Sequence, residues 1–575
     1  MSKQNTVKEI TRNSLTITAL GGLHETGKNM WVLESKRVGK DTDYLILDAG
    51  VHYPGNEAPG VDYILADYQY LINKSKQIKA LVLSSVHEYN SGGAHHVINK
   101  CDIRKVIGSK LALAQCKQKL AQTTVDKIEW QEFVSREPIQ ADSFRVIPFR
   151  VTSSSSEAYA VAVESNDSKF FYSGTYKIDQ TPTDGLKTDV VGITQYSASC
   201  VAAGKDIDLM ISDSTNVETE GYSKSELELM RTLKKLIASK KARIIVNTYN
   251  SNTIRIQNLF TIAAETGKKV ALLNKDCRET CSAAKTAGCL QYDESLLISI
   301  KDVDNYPDDQ LLIICTAPEG EALQELEKIA YDRSLELQLK KGDVVINSAD
   351  LPPGTVRIMA QISDQLFLKE VEIIGGKNAN VHVESHALTE EMKLLFNLVR
   401  PQYFIPGLGE TRLLVRHAKL AVDTGFDPGA IYILDNGDQI DINANGVEVL
   451  GHIQTGEILF NNSQDFHVDT KIIKERESLA IEGIVTVSFS LNKKNKVIAG
   501  PVFSAKACTF SNNKEWRVFC LMNSQDIIDA VETLSEDNPR ASIEDFQNVV
   551  REHMNRIIKT QIGKKPSVIV LATQI

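Results

Sequence analysis

The stretch 81–93 is the part of the chain whose setting best suits metal-ion chemistry. It reads L-V-L-S-S-V-H-E-Y-N-S-G-G, which predicts a buried strand over 80–84, a loop, and a helix after Gly92-Gly93. Functional groups of α/β proteins are commonly placed where strands end in this way. The side chains fit less well, because serine, tyrosine and asparagine are weak or rare zinc ligands and only His87 is an ordinary one.

Short strands precede this loop, and regular α/β alternation follows it. Strands predicted over 14–20, 30–34 and 44–47 are typical of the edge of an antiparallel or mixed sheet. From a buried strand over 208–212, strands and helices alternate to residue 374. This alternation predicts a parallel sheet with helices on both faces.

The last part of the chain predicts a separate α+β unit. A plausible linker over 453–464 leads to a strand-like segment over 478–490. An amphipathic helix over 542–559 is opened by a capping box of Ser542 and Asp545.

Length and composition describe an ordinary globular protein of about three compact units. The chain has 575 residues, 42% of them hydrophobic, and a formal charge of −9, which argues against a surface coated in basic groups but leaves room for a local basic groove. The polar N-terminus, the lack of a membrane-spanning apolar run and 9 scattered cysteines predict a cytoplasmic protein with free thiols and no membrane association.

Several short motifs, in order along nearly the whole chain, resemble those of the ribonuclease J family. They are G-G-L-H-E-T-G-K-N-M from Gly21, L-D-A-G from Leu47, D-Q-T-P from Asp179, S-D-S-T-N from Ser212, S-N-T-I-R-I-Q from Ser251 and I-P-G-L-G-E-T-R from Ile405. The resemblance implies an α/β fold, a metallo-β-lactamase αββα sandwich interrupted by a β-CASP parallel α/β domain, with a small α+β C-terminal domain. The predicted boundaries are 1–207 and 376–450 for the metallo-β-lactamase domain, 208–375 for the β-CASP domain, 451–465 for a linker and 466–575 for the C-terminal domain.

Active members of the family hydrolyse RNA with two zinc ions, and the resemblance implies where their ligands would lie here. The matching positions hold Ser85, His87, Tyr89, Asn90, Thr152, Thr175 and Leu408. One imidazole cannot hold a dinuclear zinc site, so no metal cofactor and no confident catalytic residue are predicted. His87 and Asp48 are interpreted as vestigial, with Asp48 orienting the loop as acids behind metal ligands do.

Other histidines leave an alternative open. His24 or His52, in glycine-rich loops, could join Asp48 or His87 in a single weak metal site, whereas His95 and His96 are better explained as surface or packing residues.

The resemblance also implies an RNA phosphate-binding region. Its predicted residues are Asp213, Asn250, Ser251, Asn252, His382, Val383, Glu384, Ser385 and His386. Hydroxyl, amide and backbone N–H groups suit this role, but the Glu384 carboxylate repels phosphate, and the loop T-A-P-E-G-E from Thr316 adds the charge of Glu319. The competing interpretation is that 382–386 caps the helix predicted from Thr389. A basic RNA path is hypothesised from Lys28, Lys177, Arg255, Arg412 and Arg416.

The favoured hypothesis is a catalytically degenerate second paralogue of ribonuclease J in bacterial RNA processing and mRNA decay. Whether it is an enzyme at all stays open. Its expected partners are RNA and an active ribonuclease J, in a homo- or hetero-oligomer such as a dimer or tetramer. The alternatives are an active ribonuclease with a rebuilt or mononuclear metal site, and a hydrolase of small molecules.

Overall fold

A computed structural model describes residues 12–54, 58–319, 321–350, 354–376, 379–461, 466–508 and 514–575. It divides the chain into two compact units, the first built from residues up to 55 together with 62–460, and the second from 56–61 together with 461–575. Among the described residues, no helix combines the length and apolar character needed to cross a membrane.

The strands of the first unit are short and mostly buried. In chain order they are β1 (Ser14–Gly21), β2 (Met30–Lys36), β3 (Asp43–Leu47), β4 (Val51–His52), β5 (Tyr63–Ala66), β6 (Ile78–Leu83), β7 (Lys105–Gly108), β8 (Glu129–Glu132), β9 (Ile139–Ala141), β10 (Phe144–Val151), β11 (Ala158–Ser165), β12 (Ser168–Tyr172), β13 (Ile207–Asp213), β14 (Ile244–Tyr249), β15 (Lys269–Leu272), β16 (Leu297–Ile298), β17 (Leu311–Ala317), β18 (Val344–Asn347), β19 (Glu372–Ile374), β20 (Pro401–Gly407), β21 (Asp438–Asn443), β22 (Gly446–His452) and β23 (Glu457–Asn461).

The α-helices of this unit cover the sheets. They are α1 (Gln69–Ile72), α2 (Glu88–Ser91), α3 (Ala94–Cys101), α4 (Lys110–Gln118), α5 (Gln122–Val125), α6 (Val190–Ala202), α7 (Glu226–Ser239), α8 (Thr253–Thr266), α9 (Lys275–Thr286), α10 (Ala322–Ala330), α11 (Val356–Leu368), α12 (Thr389–Val399) and α13 (Thr411–Asp423).

Two mixed sheets face each other across a shared apolar core. One has the order β22-β21-β1-β2-β3-β6-β7-β8, and the other β20-β13-β12-β11-β10-β9. Ile17 and Leu33 of the first sheet and Val161 and Ile211 of the second belong to this core. Because side chains alternate along a strand, the opposite faces are free to bury α3 and α4 on one sheet and α6, α12 and α13 on the other. This is the predicted αββα sandwich.

The third sheet is parallel throughout, in the order β16-β15-β17-β14-β18-β19. Neighbouring residues of β14 point to opposite faces: Val246 packs with α7, α8 and α9, and Ile245 with α10 and α11. Near-continuous apolar strands buried on both faces are typical of parallel sheets. The predicted parallel α/β domain is therefore present.

The second unit is α+β, as predicted. It contains β24 (Phe466–His467), α14 (Thr470–Glu482), β25 (Ile484–Leu491), β26 (Val497–Lys506), α15 (Lys514–Asp537), α16 (Ile543–Gln561) and β27 (Ser567–Gln574). Its sheet has the order β26-β25-β27. Ser542 Oγ accepts a hydrogen bond from the Asp545 N–H at 3.2 Å, and the Asp545 carboxylate accepts one from Ser542 N–H at 2.8 Å, which is the predicted capping box of α16.

Four predictions about elements were wrong in detail. Strands β1 to β3 lie inside the eight-stranded sheet and not at its edge, because β21 pairs with β1 on one side and β6 pairs with β3 on the other. Part of the predicted linker is a strand, since β23 pairs with β5 and buries Phe460. The segment 478–490 is helical to Glu482 before β25 begins. The loop after β6 also forms a helical turn, α2, ahead of Gly92-Gly93.

Candidate functional site

Asp48 is the centre of a buried hydrogen-bond network where β3, β6 and β12 end. Its carboxylate accepts bonds from Ser84 N–H at 2.8 Å, Ser84 Oγ at 2.8 Å, Asn90 Nδ2 at 2.7 Å and Tyr172 OH at 2.9 Å. Its backbone has φ of 59°, a conformation that aspartate tolerates better than most residues. Asp48 thus holds the loop 84–90 against the sheet, the arrangement predicted for it.

The residues at the family's zinc-ligand positions are engaged with one another or with the core. Thr175 Oγ1 donates to Asn90 Oδ1 at 2.8 Å, and Thr152 Oγ1 donates to the Lys177 carbonyl at 2.7 Å. Leu408 is buried in the core between the two mixed sheets. Hydroxyl, amide and alkyl groups that are satisfied in this way do not fit two zinc ions.

Burial also makes ionisation of the Asp48 carboxyl less favourable. Desolvation raises its pKa to about 6 from 3.8, and the bonds from Ser84, Asn90 and Tyr172 offset only part of that effect. The pKa of Tyr172 is raised far above its ordinary value by burial and by the Asp48 charge, so the phenol remains a hydrogen-bond donor.

A second cluster brings together His87, Glu319 and His386. His87 caps the N-terminus of α2, Glu319 follows β17, and His386 lies shortly before α12. His87 Nε2 lies 2.5 Å from Glu319 Oε2, and His386 Nε2 lies 4.0 Å from Glu319 Oε1. Within the described residues this is the one group of three or more potential metal ligands, with ligand atoms within 4.8 Å of one another.

Asp213 fixes the orientation and charge of His386. Its Oδ2 lies 2.5 Å from His386 Nδ1, and its Oδ1 accepts hydrogen bonds from Thr215. Burial opposes protonation of His386, but the Asp213 carboxylate and the charge of Glu319 together raise the pKa of the imidazole to about 9. Burial likewise opposes ionisation of Glu319, while His87 and His386 lower the pKa of that carboxyl below its ordinary value.

The predicted phosphate-binding residues lie around the serine run 153–156. Ser153 Oγ donates to the Ser385 carbonyl at 3.3 Å, and the Ile254 N–H donates to the Ser154 carbonyl at 3.3 Å. The run therefore connects the start of α8, which follows the loop 250–252, with the segment 382–386. Several buried polar atoms of this region have no hydrogen-bond partner among the described residues: Ser154 Oγ, Ser155 Oγ, Ser251 Oγ, Asn252 Oδ1 and Glu384 Oε2.

Other members of the predicted set have structural partners. Asn250 Oδ1 accepts from Thr316 Oγ1 at 2.5 Å, and His382 Nε2 lies 2.8 Å from Asp350 Oδ1. The segment 382–386 does not cap α12, because Glu391 Oε2 accepts the Leu388 N–H at 2.8 Å at that helix start. Val383 is buried, and its carbonyl faces Arg255.

The hypothesised basic path is wrong for three of its five residues. Lys28, Lys177 and Arg255 are buried. Arg255 binds Glu226 at 2.8 Å and the Ser348 carbonyl at 2.6 Å inside the first unit. Arg412 and Arg416 are exposed, but both pair with Glu218, which neutralises much of their charge.

The other histidines lie outside this cluster. His24 contacts Thr411 Oγ1 and the Leu434 carbonyl, and His96 Nε2 lies 2.7 Å from Tyr63 OH. Burial, followed by the Lys28 ammonium, lowers the pKa of His52, and burial lowers that of His95 to about 2. The suggested single site of His24 or His52 with Asp48 or His87 is therefore not assembled.

Glu319 is the member of the cluster that sequence reasoning missed. Its position was noticed as an added charge in the loop T-A-P-E-G-E, but the contact with His87 joins residues more than two hundred positions apart. Its signal was the departure from the family's T-G-S-Q-G-E at this position.

Comparisons with known proteins agree with this architecture. Residues 241–366 match the family model for the ribonuclease J beta-CASP domain, and residues 471–575 match that for the ribonuclease J C-terminal domain. Ribonuclease J2 of Bacillus subtilis is 28% identical over 577 residues, covering 100% of both chains. Ribonuclease J 2 of Staphylococcus epidermidis is 27% identical, covering 98% of each chain. Ribonuclease J of Synechocystis is 31% identical over 496 residues, covering 86% of this chain and 76% of the relative. The chain belongs to the ribonuclease J family.

Proposed function

We propose that this chain is a ribonuclease J-family subunit of bacterial RNA processing and mRNA decay that has lost the two-zinc hydrolytic centre. It acts in the cytoplasm by binding and stabilising an active ribonuclease J in a hetero-oligomer, and by helping to hold RNA. The observation that carries the proposal is the Asp48 network, in which Asn90 and Thr175 satisfy each other at positions where zinc ligands would be needed.

Two further observations support the non-catalytic part of the proposal. A two-zinc site generates hydroxide from bound water because several imidazoles and carboxylates hold the ions. Here Thr152 is bonded to a backbone carbonyl and Leu408 is part of the apolar core. Restoring the centre would require changes on several separate loops.

The RNA-holding part of the proposal rests on the region around 153–156. Serine hydroxyls, asparagine amides and backbone N–H groups are the usual contacts to phosphate oxygens. The buried, unpartnered oxygens of Ser154, Ser155 and Ser251 lie in this region. Family membership supports RNA as the ligand. The domain boundaries 1–207, 208–375, 376–450, 451–465 and 466–575 remain predictions.

The test is to purify the chain alone and measure decay of 5′-monophosphorylated RNA with added zinc or manganese, with an active ribonuclease J as positive control. We expect no turnover above that of the His87→Ala variant. Robust turnover that this substitution abolishes would overturn the proposal in favour of an active ribonuclease with a rebuilt site. Native mass spectrometry with the active enzyme tests the partnership, and absence of any hetero-oligomer would contradict it.

A further inference from the structure

We propose that His87, Glu319 and His386 form a binding site for a single Zn²⁺ ion, with a ligand set different from that of the family's two-zinc centre. Only His87 occupies a family zinc-ligand position. Glu319 and His386 come from the loop after β17 and the segment before α12. The site departs from the expectation that the chain holds no metal, which was based on the family positions alone. It does not depend on the proposed loss of RNA hydrolysis.

The first argument is that the facing atoms lack hydrogen-bond partners. His87 Nε2 and Glu319 Oε2 are buried and contact each other, and His386 Nε2 is buried 4.0 Å from Glu319 Oε1. None of these three atoms makes a well-directed hydrogen bond among the described residues. The 2.5 Å contact between His87 and Glu319 is an ion pair whose direction falls outside hydrogen-bond geometry. Buried polar atoms almost always make hydrogen bonds, so two imidazole nitrogens and a carboxylate that converge without a well-directed one are suited to a shared cation.

The second argument is the way His386 is held. Asp213 engages Nδ1 at 2.5 Å and holds a proton there, so the proton that His386 gives up on metal binding comes from Nε2, whose lone pair then faces Glu319. A carboxylate behind a metal-binding histidine fixes the tautomer and ring orientation in this manner. Asp213 is thus a positioning residue for the site.

His87 can serve as the second imidazole at small cost. Its Nδ1 accepts a long hydrogen bond, 3.4 Å, from Tyr89 N–H. Coordination through Nε2 needs the proton on Nδ1, so this bond is given up. In the neutral ring the proton moves from Nε2 to Nδ1, so His87 changes tautomer and releases no proton of its own when the ion binds.

The distances fit after a small adjustment of one side chain. Zn–N and Zn–O bonds of about 2.0–2.2 Å place tetrahedral ligand atoms about 3.3–3.5 Å apart. The observed separations from Glu319 are 2.5 Å to His87 and 4.0 Å to His386, which lie on either side of that value. Those separations involve different oxygens of Glu319, so the carboxylate must turn to place one oxygen beside both imidazoles; one ligand atom of each residue already lies within 4.8 Å of the others. Two imidazoles and one carboxylate are a known Zn²⁺ set, and one coordination position stays open.

The experiment is a metal titration of the full chain after dialysis against a chelator. Zn²⁺ is titrated against a fluorescent competitor, and Co²⁺ serves as a spectroscopic probe of tetrahedral coordination. Glu319→Gln is nearly isosteric and removes the anionic ligand. His452→Gln is the matched control, because His452 is exposed on β22, where its Nδ1 lies 2.9 Å from Asp438 Oδ1.

We expect one Zn²⁺ per chain in the wild type and in His452→Gln, with affinity at least tenfold weaker in Glu319→Gln. Zn²⁺ should raise the thermal midpoint of the wild type but not of Glu319→Gln. Asp213→Asn should weaken binding about 10- to 100-fold and alter the Co²⁺ spectrum, as loss of an orienting carboxylate does.

Absence of a saturable site, or equal affinity in Glu319→Gln, overturns the proposal. Circular dichroism verifies the folding of each variant, and His87→Gln replaces Glu319→Gln if the latter misfolds. RNA hydrolysis is assayed separately. If the wild type hydrolyses RNA, and Glu319→Gln loses both this turnover and bound zinc, the proposed function is refuted but the metal site is supported. If the chain is inert and binds no zinc, the metal site is refuted and the proposed function stands.

Discussion

The loop 84–91 contributes residues to two polar clusters, which differ in whether their polar atoms form well-directed hydrogen bonds. Around Asp48, neutral donors from Ser84, Asn90 and Tyr172 saturate one carboxylate. Around Glu319, two imidazoles and a carboxylate face one another without well-directed hydrogen bonds. The first cluster is a closed network of neutral donors around one carboxylate, whereas the second concentrates imidazole and carboxylate groups that suit a proton or a cation between them. Side-chain identity on one backbone decides which type of site forms.

The largest effect on the free energy of unfolding is expected when the hydrogen-bond network around Asp48 loses the Asp48 carboxylate. In Asp48→Ala, four hydrogen bonds lose their acceptor, and alanine must adopt φ near 59°. Unpaired buried donors and the strained backbone should lower the free energy of unfolding by about 3–5 kcal/mol. Urea unfolding measures this change. A loss below about 1 kcal/mol would mean that water already satisfies these donors.

A partial return towards the family's ligand set should also be costly. In Thr175→Asp, a carboxylate replaces the hydroxyl that donates to Asn90 Oδ1, and it has no proton to offer. A second buried anion near Asp48 should lower the free energy of unfolding by about 2–4 kcal/mol.

Thr175→Ser is the matched control for this change. It keeps the hydroxyl, so we expect a loss of at most about 1 kcal/mol in urea unfolding. If Thr175→Asp kept the wild-type free energy of unfolding and bound zinc tightly, the Asp48 cluster would also accept a metal ion, and its contrast with the Glu319 cluster would be wrong.

The pH dependence of stability should differ between the wild type, with a buried carboxyl at Asp48, and the variant Asp48→Asn, with an uncharged amide there. The folded chain keeps the carboxyl protonated up to about pH 6, whereas an ordinary carboxyl ionises near 3.8. Between these values the folded state binds more protons, so this group makes stability fall as pH rises, by at most about 3 kcal/mol in total. Above about pH 6 the carboxyl is ionised in both states, so this group lowers stability no further. Thermal midpoints of the wild type relative to Asp48→Asn should therefore fall between pH 4 and 6, and a flat difference would contradict the raised pKa.

Much of the fold was predictable because local patterns and packing agree. Helix α12 begins at Thr389, where the sequence predicts a helix start, and it buries Met392 and Leu395 along one apolar stripe. Helix α6 lacks such a pattern. In α6 the apolar residues do not form a clear stripe, and Val191 and Val201 are exposed, so periodicity gave no signal there.

The candidate site was predictable only in part, because its contacts are non-local. His87, Asp213 and His386 were identified from the family motifs, but the charge relations among them depend on Glu319, which no local pattern links to His87. For Arg255, a family motif led to a wrong prediction. A basic residue in a family motif suggested RNA contact, and tertiary packing placed it in a buried pair with Glu226 instead.

The smallest predicted effect concerns Glu384, beside the unpartnered oxygens of the serine run. A carboxylate about 6 Å from an RNA phosphate in a water-like dielectric costs about 0.7 kcal/mol, so Glu384→Gln should tighten RNA binding about threefold. Fluorescence anisotropy with single-stranded RNA at two salt concentrations measures this, since backbone contacts weaken with salt. Glu370→Gln, an exposed change paired with Lys341, should leave affinity unaltered. If both variants behave alike, the segment 382–386 does not face phosphate, and the serine run would have to be satisfied by water alone.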